Sequence, residues 1–277
     1  MNYLIKNLIG EMIGQRRIKM ALTLPKEVFI DDLIFLAYRG SVAHNMYIPN
    51  SDPNSIDDVD LMGVFIAPNS HYIGIKKSKQ TIEKKIEVND MLYDCVYYEL
   101  SHFVNLLVKN NPNVLSMLWL KPEHYITMSE GMSLLLDYKQ IFGSKIAYHS
   151  FTEYAHSQLT RMEAYNKKGY MGEKRKRLVE KYGYDVKNAA HLIRLLRMGC
   201  EFLNTGKMEV FRSDAEELLE IKTGEWSIEK VKSHAEYLFA AAKVARDKSV
   251  LQECPDKKVA SKIVESIIYR KILERMD

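Results

Sequence analysis

The chain has 277 residues, 47% of them hydrophobic and 27% charged, with a formal net charge of +4. That balance excludes disordered and collagen-like classes, leaves apolar residues enough for one large domain or two ordinary ones, and permits a nucleic-acid partner without demanding one. Cys95, Cys200 and Cys254 are scattered, with no zinc spacing and no basis for a disulfide framework, which fits a reducing compartment. Residues 2–20 show helical apolar spacing with basic punctuation. With no secretory signal or membrane-spanning run in view, the expected location is the cytoplasm, away from membranes. Apolar runs at 33–38, 60–66 and 91–98 predict strands of one sheet, and 100–109 predicts an amphipathic helix. Asn111 followed by Pro112 marks the next helix start. Beyond Met128 long helical patterns dominate, at 151–166, 185–204, 213–221 and 227–246, and the charged tail from Pro255 is helical as well. The expected architecture is an α/β (α+β) fold with a mixed sheet in residues 1–125 and a helical domain in residues 126–277. No internal repeat or low-complexity tract interrupts it.

Two short patterns carry chemistry. Gly40-Ser41 closes the first apolar run, and Asp58-Val59-Asp60 opens the second. Residues two apart on a strand share a face, so Asp58 and Asp60 aim two carboxylates into one space. Like charges crowded together in apolar surroundings need a cation between them. Magnesium takes hard oxygen ligands and shares them with substrate phosphates, so the pair points to nucleotide chemistry. Gly40 lets the backbone approach a ligand closely, and Ser41 offers a hydroxyl and an N–H to phosphate. Either pattern alone is common in surface turns. Their order on two successive apolar runs is what makes them informative.

The longer text, Gly40-Ser41-Val42-Ala43-His44 through Ser55-Ile56-Asp57-Asp58-Val59-Asp60-Leu61-Met62-Gly63-Val64, resembles the DNA polymerase β-like nucleotidyltransferase superfamily. Within it, the chain looks like the predicted nucleotidyltransferases associated with an RNA repair pathway. Asn111-Pro112-Asn113-Val114 and the segment from Lys181 to Gly199 agree with that branch, and the resemblance runs from about residue 37 to about residue 235. It implies a polymerase β-like core, a nucleoside triphosphate substrate, Mg2+ or Mn2+, and in-line transfer of NMP with loss of pyrophosphate. It also implies that Asp58 and Asp60 hold metal and that Gly40 and Ser41 bind phosphate. One departure is the longer spacer between Gly-Ser and D-x-D. Its extra residues around Asp52-Pro53-Asn54-Ser55 read as a turn at the edge of the nucleotide pocket.

Such chemistry requires a third carboxylate to position the attacking hydroxyl. Asp94, an acid within the apolar run Met91 to Tyr97, matches the superfamily's third acid. Asp90 and Glu99 are the alternatives, although Glu99 suits the start of the following helix. On the helix beginning near Asp185, Lys187, His191 and Arg194 share one face, either as a solvated stripe or as a cationic wall toward the triphosphate. Arg197 and Glu201 extend the stripe. The stretch from Lys167 to Arg177, rich in Lys and Arg with Tyr170 inside it, suits a nucleic-acid backbone, with Lys174, Arg175 and Arg177 as its contacts.

The expected function is Mg-dependent NMP transfer to a tRNA-like RNA end. Two alternatives remain: the same transfer to a protein or small-molecule hydroxyl, and a catalytically inactive nucleotide- or RNA-binding module. A P-loop and a Rossmann glycine fingerprint are both missing from the sequence.

Overall fold

The computed structural model describes residues 24–49, 52, 55, 58–89, 91–163 and 173–276. The helix expected over 2–20, Asp57, Asp90, most of the spacer turn and the Lys167–Gly172 portion of the basic stretch lie outside the described residues. The sheet is built from β1 (Leu33–Tyr38), β2 (Val59–Phe65), β3 (Thr81–Val88), β4 (Met91–Glu99) and β5 (Tyr125–Met128). Its order is β3-β4-β2-β1-β5. β2 and β4 are parallel, and the other pairs are antiparallel. The mixed α/β class and three of the strands follow the sequence expectation.

Helices follow as α1 (Gly40–Ala43), α2 (Asn69–Tyr72), α3 (Leu100–Val108), α4 (Pro112–Leu115), α5 (Glu130–Asp137) and α6 (Ile146–Glu163). The chain continues through α7 (Glu173–Tyr182), α8 (Val186–Thr205), α9 (Ala215–Lys222), α10 (Ile228–Lys248) and α11 (Lys257–Glu274). Their ends are written in local chemistry. The Asn111 carboxamide oxygen accepts from Asn113 and Val114 N–H at 3.1 and 3.2 Å, with Pro112 in the first turn of α4. Glu99 caps α3 by accepting from His102 N–H at 3.0 Å. Asp185 caps α8, and Gly206 ends it in the left-handed region at φ +68°. No helix among the described residues is long and apolar enough to cross a membrane.

The sheet has an apolar cluster on each face. On one face Leu36, Tyr38, Leu61, Cys95 and Tyr97 pack with Val28 and Tyr47. On the other, Phe35, Ala37, Met62, Val64 and Val96 join a larger cluster that runs into the helices through Phe103, Phe151 and Leu196. Each large apolar side chain buried there contributes about 1.5–3 kcal/mol. α8 is the hub of the helical part, packed against α6, α9 and α10. Its apolar face, including Ala189, Leu192, Leu196 and Leu203, is buried among them.

α11 then returns to the sheet. Ile263 and Ile267 enter the larger cluster. Gly131 of α5 lies so close that a Cβ there would stand 2.9 Å from Ile267. Arg275, just past α11, donates to the carbonyls of Ile66 and Ala67 at 3.1 and 2.8 Å and pairs with Asp32 at 2.8 Å.

Candidate active site

Asp60 is the second residue of β2, and its strand register places it beside Asp94 on the parallel neighbour β4. The alternation that buries Met62 and Val96 in the larger cluster puts both acids on the same face, toward the helices. Asp58 lies one residue ahead of β2, half-buried. Asp60 is pushed above the usual carboxylate range by burial, against the pull of Arg39 and Lys187, while the charges of Asp94 and Asp58 push it further up.

Arg39 pairs with two of these acids. Its Nη2 stands 3.4 Å from Asp60 and 3.9 Å from Asp94, and its backbone N–H donates to the Asp60 carbonyl at 2.9 Å. Gly40 follows in the left-handed region at φ +61°, and a Cβ there would lie 2.8 Å from the Asp60 carboxyl carbon. Only glycine therefore lets the turn into α1 pass so close to the acid. Ser41 comes next. Its hydroxyl oxygen is buried and makes no hydrogen bond among the described residues. A buried hydroxyl left so costs about 1–3 kcal/mol, which an arriving acceptor oxygen would recover.

These groups open into a cavity of about 610 Å3 whose lining includes Gly40, Ser41, Asp60, Lys187, His191 and Arg194. Positive charge dominates it: among the described lining residues, Arg39, Arg161, Arg175, Lys187, Arg194 and Lys222 face the two carboxylates of Asp60 and Glu153. Arg194 is 5% exposed, and its guanidinium donates to the Met198 sulfur at 3.2 Å and to no carboxylate among the described residues. Burial, reinforced by nearby Arg212, pulls it from the arginine range down to about 9. His191 is held well below the ordinary histidine value by burial and by the charges of Arg194, Lys187 and Lys222. His44, whose Nδ1 lies 3.0 Å from the Val210 carbonyl, is likewise lowered, chiefly by burial. Both imidazoles are neutral partners in a cationic chamber.

The remaining sequence candidates are spread more widely. Asp94 borders a separate groove on the far side of Arg39. Arg175 lines the cavity but is committed to the buried Asp185 cap through Nη2 at 2.6 Å and Nε at 3.0 Å. Lys174 and Arg177 are exposed on α7. Arg197 and Glu201, further along the α8 stripe, belong to a structural network: Arg197 pairs with Asp214 and Glu217, and Arg212 with Glu201 and Asp214, each at 2.7 Å. Glu99 is fully buried and accepts from the Tyr72 hydroxyl at 2.7 Å, which removes it as a metal ligand. Sequence reasoning missed Arg39, Lys222 and the polar face of α6, where Glu153, Ser157 and Arg161 recur every four residues. That spacing was the available signal.

The donor set suits a hard divalent ion, being carboxylate oxygen alone, and the point between Asp60 and Asp94 already accommodates a positive group. Among the described residues no three acidic, histidine or cysteine side chains converge as they stand.

A mixed sheet with Gly-Ser after one strand and an acid pair entering the next, facing a cationic helix, defines a polymerase β-like nucleotidyltransferase fold. Residues 17–258 match the RNA repair pathway DNA polymerase beta family, and the chain belongs to that family. A solved structure of a nucleotidyltransferase-like protein from Exiguobacterium sibiricum 255-15 is similar at 10% identity, over 88% of this chain and 77% of that one, with a TM-score of 0.31. No curated protein matches the chain.

Proposed function

We propose that the protein is a divalent-metal-dependent nucleotidyltransferase that moves NMP from a nucleoside triphosphate to the hydroxyl of an RNA end. The observation that carries this reading is the cationic cavity of about 610 Å3 in which Gly40, Ser41 and Asp60 meet Lys187, His191 and Arg194. Its size suits one nucleotide. Residues 1–125 supply the acids and the Gly-Ser turn, and residues 126–277 supply the cationic wall. Gly40 and Ser41 receive the terminal phosphates, and Lys187 and Arg194 neutralise them while neutral His191 donates a hydrogen bond. Asp58, Asp60 and Asp94 would hold Mg2+ or Mn2+, which when bound offsets phosphate charge and eases ionisation of the attacking hydroxyl.

The acceptor oxygen forms a bond to the α-phosphorus as the bond from that phosphorus to the bridging oxygen breaks. Pyrophosphate leaves with that bridging oxygen, and the hydroxyl proton passes to the Asp94 carboxylate and then to water. Positioning and charge neutralisation supply most of the acceleration in such transfers. The RNA acceptor is supported by the family's description and by the basic residues of α7, where Lys174 and Arg177 contact the body of the RNA. Arg175 joins them if its Asp185 pair opens.

A transfer assay tests the reading: each α-labelled nucleoside triphosphate, Mg2+ or Mn2+, and cellular RNA, beside an Asp58→Ala/Asp60→Ala control. Label on RNA that disappears in the control is the expected result. Label on polypeptide would replace the acceptor, and tight nucleotide binding without any transfer would replace the enzyme with a binding module.

A further inference from the structure

The acids have a second side. Beyond Arg39 lies a groove of about 430 Å3 over the β3–β4 face, lined by Arg39, Glu83, Lys85, Asp94 and Tyr98 among others. Strand register orders these groups. Lys85 stands opposite Asp94, Glu83 opposite Val96 and Thr81 opposite Tyr98, so the groove runs from the acids along the sheet toward residues 76–80. The Glu99 N–H to Gln80 carbonyl bond, 2.9 Å, fixes that segment at the Tyr98 end. Lys76, Lys77 and Lys79 lie there, exposed, next to the exposed Ile73 and Ile75. Tyr98 is half-buried with its ring centroid 5.6 Å from that of His102.

In-line displacement requires the attacking oxygen to approach the α-phosphorus opposite the departing pyrophosphate. The donor's phosphates are assigned to the cavity on the Lys187 side, so the acceptor has to come from the other side of Asp60 and Asp94. The β3–β4 groove meets the acids from that side, and Arg39 is a wall common to both spaces. Along it come Arg39 and Lys85 beside Asp94, then Glu83, then the Tyr98 ring, with the exposed Lys79, Lys77 and Lys76 beyond the lining. Cations on either side of an aromatic ring are the combination that tracks a single-stranded phosphodiester backbone and stacks a base.

We infer that this groove binds the single-stranded end of the acceptor RNA, with its terminal hydroxyl at Asp94, a base against Tyr98 and phosphates along Lys85 toward Lys79. The inference rests on the proposed transfer reaction. It leaves the body of the RNA on α7 and gives its terminus a separate site at the sheet edge, and it makes Arg39 the divider between donor and acceptor.

The test measures binding without chemistry. A short 5′-labelled unstructured oligoribonucleotide is titrated with the full chain over a salt series, and a non-hydrolysable α,β-methylene nucleoside triphosphate is titrated by calorimetry. Lys79→Ala/Lys85→Ala should weaken RNA binding about tenfold and lower the logarithmic salt slope by about 1.4, as loss of two phosphate contacts requires. Tyr98→Ala should weaken it by about tenfold with little change in that slope. A Lys243→Ala/Lys248→Ala control, with the same loss of charge on the exposed face of α10, should bind RNA as the unaltered protein does. Triphosphate binding should stay within about twofold in all of them. RNA binding that falls equally in the control, or is unchanged in Lys79→Ala/Lys85→Ala, overturns the groove while the transfer reaction stands. Absence of RNA binding, with label transferred to polypeptide, also overturns it. Failure of triphosphate binding in the unaltered protein would instead sink the transferase reading on which the inference rests.

Discussion

Arg194 is a charge kept at a loss. A buried guanidinium with no carboxylate partner among the described residues costs folding free energy, and the proposed function gives it a partner in the triphosphate. Arg194→Met should therefore melt at or above the temperature of the unaltered protein, while triphosphate affinity drops by about 1.5–3 kcal/mol, the worth of a hydrogen bond to a charged group. Melting curves and calorimetry read the two effects separately, and a variant both less stable and unchanged in affinity would make Arg194 ordinary scaffold. Gly40 presents the opposite case. Gly40→Ala forces a Cβ onto the Asp60 carboxylate at φ +61°. The backbone conformation alone costs about 1–2 kcal/mol. Displacement of Asp60 by roughly an ångström should cost about a hundredfold in turnover. A single-turnover assay on variant protein of unchanged circular dichroism checks it. Arg39 was illegible in the sequence for a related reason: nothing in its neighbours announces that a parallel strand will bring Asp94 level with Asp60.

At the scale of elements, the apolar strands and the long helices were legible because their periods are strong. β1 spans the expected 33–38, and α8 spans Val186–Thr205 against an expected 185–204. β3 was not, because Thr81–Val88 is an edge strand whose Ile82, Ile86 and Val88 alternate with Lys and Glu and stay only half-buried. β5, four half-buried residues long, gives too short a signal for any period. The α8 stripe was legible as a stripe but not as two functions. Its first turns face the cavity, while Arg197 is tied by Asp214 and Glu217. Arg212, 2% exposed at its side chain, holds Glu201 and Asp214 together. Arg212→Ala takes Glu201's Arg212 partner away and leaves Asp214 to Arg197, and should destabilise by about 1.5–3 kcal/mol in urea unfolding. The helices also set a pH response. His44 and His191 are lowered mainly by burial, so they stay neutral in the folded chain and take up protons more readily when unfolded. Their contribution to stability is complete above the ordinary histidine value of about 6.5 and drains away as pH falls below it. The melting temperature should decline between about pH 7.5 and about pH 5.5, and His44→Gln/His191→Gln should flatten that decline. An equally steep decline in the double variant would place the titrating groups elsewhere.

Across the whole molecule, the larger cluster joins the sheet and the helices into one core, and α11 fastens it from behind. Unfolding should accordingly be a single cooperative transition, with Trp119 and Trp226 fluorescence coinciding with far-ultraviolet circular dichroism. Two separated transitions would mean that the halves fold apart. Arg275→Ala, which removes donors from the Ile66 and Ala67 carbonyls and a partner from Asp32, should lower stability by about 1–3 kcal/mol in the same experiment. The return of α11 also has a consequence during synthesis. A nascent chain translated through residue 250 already carries the acids, the Gly-Ser turn and the cationic helix, yet the apolar seam beside Leu33, Ile34 and Ile66 still lacks its cover. Until Ile263, Ile267 and Arg275 emerge from the ribosome, that seam is open to chaperones, and to the same seam on neighbouring chains of a polysome.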